Sequence, residues 1–448
     1  MPFLKHDRIT PAQVVILGFL FQILIGACLL SLPVATRSGE SVPFLDALFT
    51  ATSATCVTGL VIHDTALFWS PFGQGVILLL IQVGGMGVVT MAVAIFMFSG
   101  RKIGLKQRWV MQESISAPQV GGIVRMTGFI LKTAFLIEAI GALLLALRFC
   151  PQFGLGKGIW YGIFHAVSAF CNAGFDLMGE TGAFSSLTGY VGDPLVNLVI
   201  CLLIVVGGLG FLTWHDVAAH GRHVSQYRLQ SKLILLTTLA LLVGGFLFFR
   251  FYEFSRPQWA ALTGGERGLA ALFQSVSPRT AGFNTVDLTQ LSACSQLMTI
   301  LLMLAGGSPG STAGGFKTTT LAVLLLSVGA VIRRQGSARC FGRRLPDQVL
   351  RNACAIFLLY LVLFLAGGML ICCMDEIPLM QALFEAASAI GTVGLSLGAT
   401  AEASEASRLI LIFLMYFGRV GGLTMIYAMA AGSNGASSQY PQEQVTVG

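Results

Sequence analysis

Residues Ala47–Leu60 read ALFTATSATCVTGL, and the chain writes that stretch four times. The other copies are GIFHAVSAFCNAGF (Gly162–Phe175), ALFQSVSPRTAGF (Ala271–Phe283) and ALFEAASAIGTVGL (Ala382–Leu395). Each is a short apolar run ending in Phe, then small and hydroxyl residues, then Gly followed by Leu or Phe. The glycines Gly59, Gly174, Gly282 and Gly394 stand 115, 108 and 112 residues apart. Such regularity is an internal repeat, and it organises everything else.

Working outward, each copy lies between two apolar stretches. Charged residues make up only 10% of the chain and hydrophobic ones 55%, a composition of membrane rather than soluble proteins. About 20 apolar residues cross a bilayer. The spans so expected are 11–32 and 72–98, 128–147 and 195–218, 233–251 and 297–331, 353–373 and 409–431, the sixth of them interrupted. The first shows no signal-peptide cleavage site and is long enough to cross. The apolar part of each motif, about ten residues, is too short to span and suits a re-entrant half-helix. The expected fold is therefore all-α and polytopic. Four span–re-entrant loop–span repeats, eight transmembrane helices in all, surround a central pore. Repeat 1 with its connector covers 1–126, repeat 2 127–231, repeat 3 232–350 and repeat 4 351–431, with a polar tail at 432–448. Two spans per repeat put all four loops on one membrane face, around an axis along the membrane normal.

Charge orients this scheme. The segments on the motif side (37–70, 148–193, 250–295, 373–408) hold 8 basic and 14 acidic residues, the rest 19 and 6. Arg101, Lys102, Lys106, Arg108 and Arg125 crowd one connector; Arg333, Arg334, Arg339, Arg343 and Arg344 crowd another. The positive-inside rule places these and both termini in the cytoplasm and the motif loops outside. The ten cysteines form no CxxC pair, and most sit in apolar runs (Cys28, Cys150, Cys201, Cys354, Cys372, Cys373). They read as small buried hydrophobes rather than disulfides or metal ligands.

Non-helical backbone at membrane depth is tolerated only where protein or water covers it. Four such segments on one axis aim carbonyls at a pore, and a ring of carbonyls can replace a cation's hydration shell. Glycine permits the positive φ this needs, and each half-helix would turn its negative C-terminal end to the cavity. Close packing by small residues is the alternative use of such glycines.

TCVTGL, FCNAGF, SPRTAGFNT and GTVGL, with IQVGGMG (81–87), VVGGLGFLT (205–213), LAGGSPGSTAGGFKTTT (304–320) and GRVGGLT (418–424), together resemble the KtrB/TrkH/HKT superfamily of cation transporters. The chain looks most similar to KtrB-type potassium uptake subunits. The resemblance covers nearly its whole length. It implies potassium uptake across a bacterial-type inner (cytoplasmic) membrane through a channel-like pore, in a homodimer within the lipid bilayer. It also implies a cytosolic, KtrA-type nucleotide-binding regulatory ring; nucleotide would act only through that partner. Nucleic acid is not an expected partner. Potassium, with sodium as the second candidate, would be held by backbone carbonyls alone, at Val57, Thr58, Gly59, Asn172, Ala173, Gly174, Thr280, Ala281, Gly282, Thr392, Val393 and Gly394. Glycine rather than serine at position 59 favours potassium in this family; a sodium-selective or sodium-coupled member is the alternative. The third copy departs in being one residue shorter and carrying Arg279, expected to pair with a carboxylate behind the filter.

The break in the third repeat, Gly306, Gly307, Ser308, Pro309, Gly310, Ser311, Thr312, Gly314 and Gly315, is expected to obstruct the pore as a gate, held by Lys317 and by Arg419. A charge in mid-span needs partners or water, and Pro309 removes a helix donor. Three rivals share this stretch. Gly310–Lys317 nearly spells a P-loop, but Phe316 breaks the spacing. Gly306-x-Ser308-x-Gly310 matches a nucleophile elbow, yet most of the six histidines look interfacial. Broken helices also occur in alternating-access carriers.

Overall fold

Thr10 starts the first helix with a capping box: its Oγ1 accepts from Gln13 N–H at 3.3 Å, and Gln13 Oε1 accepts from Thr10 N–H at 2.9 Å. With Pro11 at the first helical position, two otherwise orphaned amides are satisfied before the apolar run begins. The computed structural model describes residues 10–87, 90–91, 112, 123–422 and 424. Repeat 1's basic connector at 101–111 and the tail at 432–448 lie outside the described residues.

Each repeat opens with a long helix: Ala12–Leu30, Ile123–Phe153, Leu229–Glu253 and Asp347–Asp375. Among the described residues these four are long and apolar enough to cross a membrane. A half-helix follows each: Phe44–Cys56, Leu155–Phe170, Gly264–Val276 and Leu379–Gly391. The phenylalanine of each motif (Phe49, Phe164, Phe273, Phe384) is fully buried and anchors it.

The second expected span of repeats 1, 2 and 4 is not a continuous helix, which corrects the sequence reading, while that of repeat 3 is interrupted as expected. Pro71–Met86 stops at Gly87; Pro194–Gly208 and Phe211–His220 meet at 97° about Gly210; Glu405–Val420 stops at Gly421. These glycines take φ of 87°, 92° and 90° with ψ of 128°, 140° and 138°, a conformation closed to helices and to most L-residues. In repeat 3, Ala293–Leu304 and Thr318–Ile332 are separated by the whole 305–317 loop. The remainder of the expected spans 72–98 and 409–431 lies largely outside the described residues.

The helix after each half-helix also touches the half-helix of the next repeat. Pro71–Met86 packs on Leu155–Phe170, Pro194–Gly208 on Gly264–Val276, and Ala293–Leu304 on Leu379–Gly391. Glu405–Val420 returns to Phe44–Cys56 and closes the cycle. Here some glycines do serve close packing. A Cβ on Gly84, Gly207 or Gly418 would stand 2.0–2.2 Å from the carbonyl of Thr55, Phe170 or Ile390, each four residues before a motif glycine.

Polar groups in this apolar body are tied down. Glu253, buried at the end of a π-helical turn (Phe249–Glu253), accepts from Trp259 Nε1 (2.8 Å), Gln258 Nε2 (2.9 Å), Ser292 Oγ (2.6 Å) and Ser295 Oγ (2.7 Å). It fastens repeat 3's long helix to its next helix. Glu253→Ala strands these donors, and is expected to destabilise by about 3 kcal/mol, read as a lower melting temperature in detergent. All ten cysteines are free. Cys28, Cys294, Cys354 and Cys373 are exposed rather than buried, because the surface of such a helix bundle can be as apolar as its core.

Candidate functional site

Each half-helix ends the same way. Val57, Asn172, Thr280 and Thr392 take φ of 59°, 60°, 67° and 50°, uncommon for residues other than glycine. The next residue (Thr58, Ala173, Ala281, Val393) keeps negative φ, and then Gly59, Gly174, Gly282 and Gly394 take φ of 92°, 69°, 81° and 95°. In an extended strand successive carbonyls alternate sides; alternating the sign of φ turns them toward one side. The geometry therefore converts four segments of chain into four rows of carbonyls.

A serine fixes each row. The amides of Thr58, Ala173, Ala281 and Val393 donate to the carbonyls of Ser53, Ser168, Ser277 and Ser388 at 2.7–2.9 Å. The hydroxyls of Ser53 and Ser388 accept from Gly59 N–H (3.0 Å) and Gly394 N–H (2.9 Å). Those of Ser168 (2.7 Å) and Ser277 donate to the carbonyls of Phe175 and Phe283. Sequence reasoning noted only small and hydroxyl residues here. The signal was a serine six residues before the glycine in three copies. In the third it is five, and the missing residue is absorbed where Ala281 N–H closes a four-residue turn instead of a five-residue one.

The four rows meet. A Cβ on Gly59 would lie 2.3 Å from the Ala173 carbonyl, on Gly174 2.7 Å from Ala281 O, on Gly282 2.4 Å from Val393 O, and on Gly394 2.2 Å from Thr58 O. Repeat 1 thus abuts repeat 2, 2 abuts 3, 3 abuts 4, and 4 abuts 1. All four triplets are buried except the partly covered Gly394. None of their twelve carbonyls accepts a hydrogen bond among the described residues, although buried backbone carbonyls are otherwise almost always paired.

On one side of this ring is a cavity of about 370 Å³, lined by all four glycines and by Asp64, Asp176, Asp287 and Glu402, one carboxylate from each repeat. Burial pushes the Asp176 carboxyl up to about 7, against the bond it accepts from Met178 N–H and with Asp64's charge reinforcing the rise. Below that pH it is neutral and the cavity loses one charge. Cation uptake far below saturation is therefore expected to rise about two- to threefold as external pH passes upward through 7. Asp176→Asn should abolish that step in an uptake titration.

On the other side lies the 305–317 loop. Arg419 donates through Nη1 to Thr312 O and through Nη2 to Gly84 O (2.5 Å) and Gly85 O (3.0 Å). Lys317 Nζ donates to Ala313 O (2.9 Å) and Gly314 O (3.1 Å). Thr312 Oγ1 meets Phe170 O and Asn172 Oδ1, both at 3.0 Å, and Gly315 N–H donates to Gly418 O (3.0 Å). Ser308 N–H reaches Gly208 O (3.1 Å), and Gly310 O accepts from Phe211 N–H (2.7 Å). Repeats 1, 2 and 4 all hold this one segment. A Cβ on Gly314 would meet the Thr392 side chain at 2.2 Å, so the loop sits directly against the inner end of the carbonyl rows. Beyond it a second cavity of about 300 Å³ is bordered by Gly87, Gly310, Gly315, Lys317, Arg419 and Gly421.

One expectation fails here. Arg279 has no carboxylate partner among the described residues; its guanidinium donates to Thr238 Oγ1 at 3.4 Å. Its side chain lies beside Ile204 and Val205 of repeat 2 and Leu242 of repeat 3's own long helix. His165 is fully buried in a half-helix. Ser308 Oγ bonds Thr318 Oγ1 (3.1 Å) and has no histidine beside it among the described residues, leaving the hydrolase reading without a base.

Comparison with known proteins agrees with this geometry. Residues 11–440 match the family model described as TrkH, cation transport protein. The potassium/sodium uptake protein NtpJ of Enterococcus hirae is 40% identical over 99% of this chain and 98% of its own. The Ktr system potassium uptake protein B of Bacillus subtilis is 40% identical over the same shares, and that of Vibrio alginolyticus 36% over 99% and 97%. The crystal structure of the potassium transporter TrkH from Vibrio parahaemolyticus superposes with a TM-score of 0.73 at 19% identity, covering 97% of this chain and 87% of that one. The resemblance to KtrB-type subunits read from the motifs is borne out, the enzyme readings fall, and the chain belongs to the TrkH/KtrB family of multi-pass membrane cation transporters.

Proposed function

We propose that this protein takes up potassium through an axial filter made of the twelve carbonyls from Val57–Gly59, Asn172–Gly174, Thr280–Gly282 and Thr392–Gly394. The observation that carries this reading is a ring of buried carbonyls with no donors. Negative dipole ends facing one another on an axis repel unless a cation lies between them, and carbonyl oxygens of this kind can replace the hydration shell of a potassium ion. The acid-lined outer cavity concentrates cations at its mouth. Potassium also appears in the names of the relatives from Enterococcus, Bacillus and Vibrio.

In this proposal all four repeats cross the membrane as long helix, re-entrant loop and broken helix, giving the eight-span arrangement. The membrane is the inner one and both termini are cytoplasmic. The 305–317 loop is the gate, obstructing the path beneath the filter until it moves. The Ktr relatives are named as parts of a system, which supports a partner chain; a homodimer and a cytosolic nucleotide-binding ring that shifts the gate are what the family resemblance implies.

Sodium is the second reading, carried by the potassium/sodium name of the Enterococcus relative. Rubidium uptake and potassium-limited growth, with and without external sodium, in cells lacking their own potassium transporters test both. Sodium-independent rubidium uptake supports the potassium filter. Strict dependence on sodium supports coupling, and no rubidium flux from well-expressed chain even with Ser308 to Gly314 deleted overturns the proposal.

A further inference from the structure

The residue that follows the anchoring phenylalanine differs in every repeat: Thr50, His165, Gln274 and Glu385. In repeat 2 His165 Nε2 accepts from Leu177 N–H (3.3 Å), three residues beyond Gly174. In repeat 4 Glu385 Oε1 accepts from Leu397 N–H (2.9 Å), three residues beyond Gly394. Its carboxylate also takes the hydroxyls of Ser396 (2.7 Å) and Thr400 (2.5 Å). Two different side chains thus brace the same amide of the outgoing strand from the same place in the half-helix. Gln274 instead donates its amide to Thr299 Oγ1 at 3.4 Å, and Thr50 is too short to make the equivalent reach.

We propose that this position is a strut for the filter strand, that His165 and Glu385 are positioning residues for ion selectivity, and that the His165 strut releases on protonation. The inference rests on the filter reading above. Its chemistry follows from the hydrogen bonds. His165 Nδ1 lies 2.7 Å from Tyr161 O, and a carbonyl only accepts, so Nδ1 carries the ring proton. Nε2 therefore offers its lone pair to Leu177. In the imidazolium both nitrogens carry protons, and Nε2–H would face the Leu177 N–H.

Among the described residues no acceptor is bonded to that nitrogen. The ring is enclosed by Phe149 from the preceding long helix (5.6 Å between centroids), by Tyr161 and Phe164 of its own half-helix (6.2 Å each), and by Phe283 of repeat 3 (6.4 Å). The titratable groups around it are the Tyr161 phenol and, on the braced strand, Asp176, whose carboxylate is already engaged by Met178 N–H. Asp176 alters how strongly the outer cavity attracts any cation, which changes rate. The strut alters strand geometry, which changes the choice between cations. Relative permeability, rather than rate, therefore isolates it.

The test is the rubidium-to-sodium flux ratio in proteoliposomes as external pH falls from about 8 to about 3.5, well past the titration of an ordinary imidazole. Wild type should lose preference reversibly toward the acid end. His165→Gln, whose amide oxygen can accept from Leu177 at any pH, should keep the preference at neutral pH and flatten the profile. His165→Leu and Glu385→Ala leave a buried amide unpaired and should lower the ratio roughly tenfold at all pH values. A flat wild-type profile, an unchanged pH dependence in His165→Gln, or an unaltered ratio in His165→Leu overturns the strut. Should His165→Leu fail to reach the membrane, His165→Gln still decides. Absence of rubidium flux even after deletion of Ser308 to Gly314 would instead strike the filter reading, which keeps the two failures apart.

Discussion

Gly394→Ser and Gly59→Ser are expected to lower the preference for potassium over sodium on the order of tenfold or more. Both glycines hold φ above 90°, where an L-residue is strained whatever the space around it. The space is also missing. A new Cβ at 394 would lie 2.2 Å from Thr58 O, and at 59 it would lie 2.3 Å from Ala173 O. Those atoms are backbone of the neighbouring repeat and belong to the ring themselves, so relief of the clash must widen or tilt the ring. A wider ring no longer replaces the hydration of potassium better than that of sodium. Relative fluxes of rubidium and sodium in variants expressed to wild-type level are the check, and an unchanged ratio removes these residues from the filter.

Arg419→Ala, and separately deletion of Ser308 to Gly314, are expected to raise rubidium uptake in the absence of any regulatory partner. Arg419 ties the loop at Thr312 to the chain at Gly84 and Gly85, bridging repeats 3, 1 and 4. Charged hydrogen bonds of this kind contribute about 1.5–3 kcal/mol each. Losing even ~3 kcal/mol from the obstructed state moves a two-state equilibrium roughly a hundredfold. Uptake should rise until the open population saturates, and the response to a partner should shrink accordingly. Basal flux at wild-type level in both variants puts the gate elsewhere.

The motif glycines and the long first helices were legible in the sequence because each is written locally: a fixed spacing in one case, an uninterrupted apolar run in the other. The break in the third repeat was legible for the same reason, since five glycines and Pro309 cannot continue a helix. The breaks at Gly87, Gly210 and Gly421 were not, because a glycine pair within an apolar run serves equally for close packing, as Gly84, Gly207 and Gly418 do. Only the dihedral angle separates the two uses. The serines at 53, 168, 277 and 388 carried a spacing signal weakened by the one-residue deletion in repeat 3. Arg279 misled because a charge at membrane depth invites a counter-ion, whereas here a hydroxyl from the neighbouring long helix meets it. The strut position was hidden by its own variety. Thr, His, Gln and Glu share no chemistry in a sequence, and only the amide they face relates two of them.

The filter itself is tested most directly by locating the ion. Crystals grown with rubidium or thallium in place of potassium give anomalous peaks at bound cations. The expected result is density on the axis between the four rows, ringed by the carbonyls of Thr58, Ala173, Ala281 and Val393. Peaks confined to the acidic outer cavity or to a site off the axis, at concentrations that saturate uptake, would contradict a carbonyl filter.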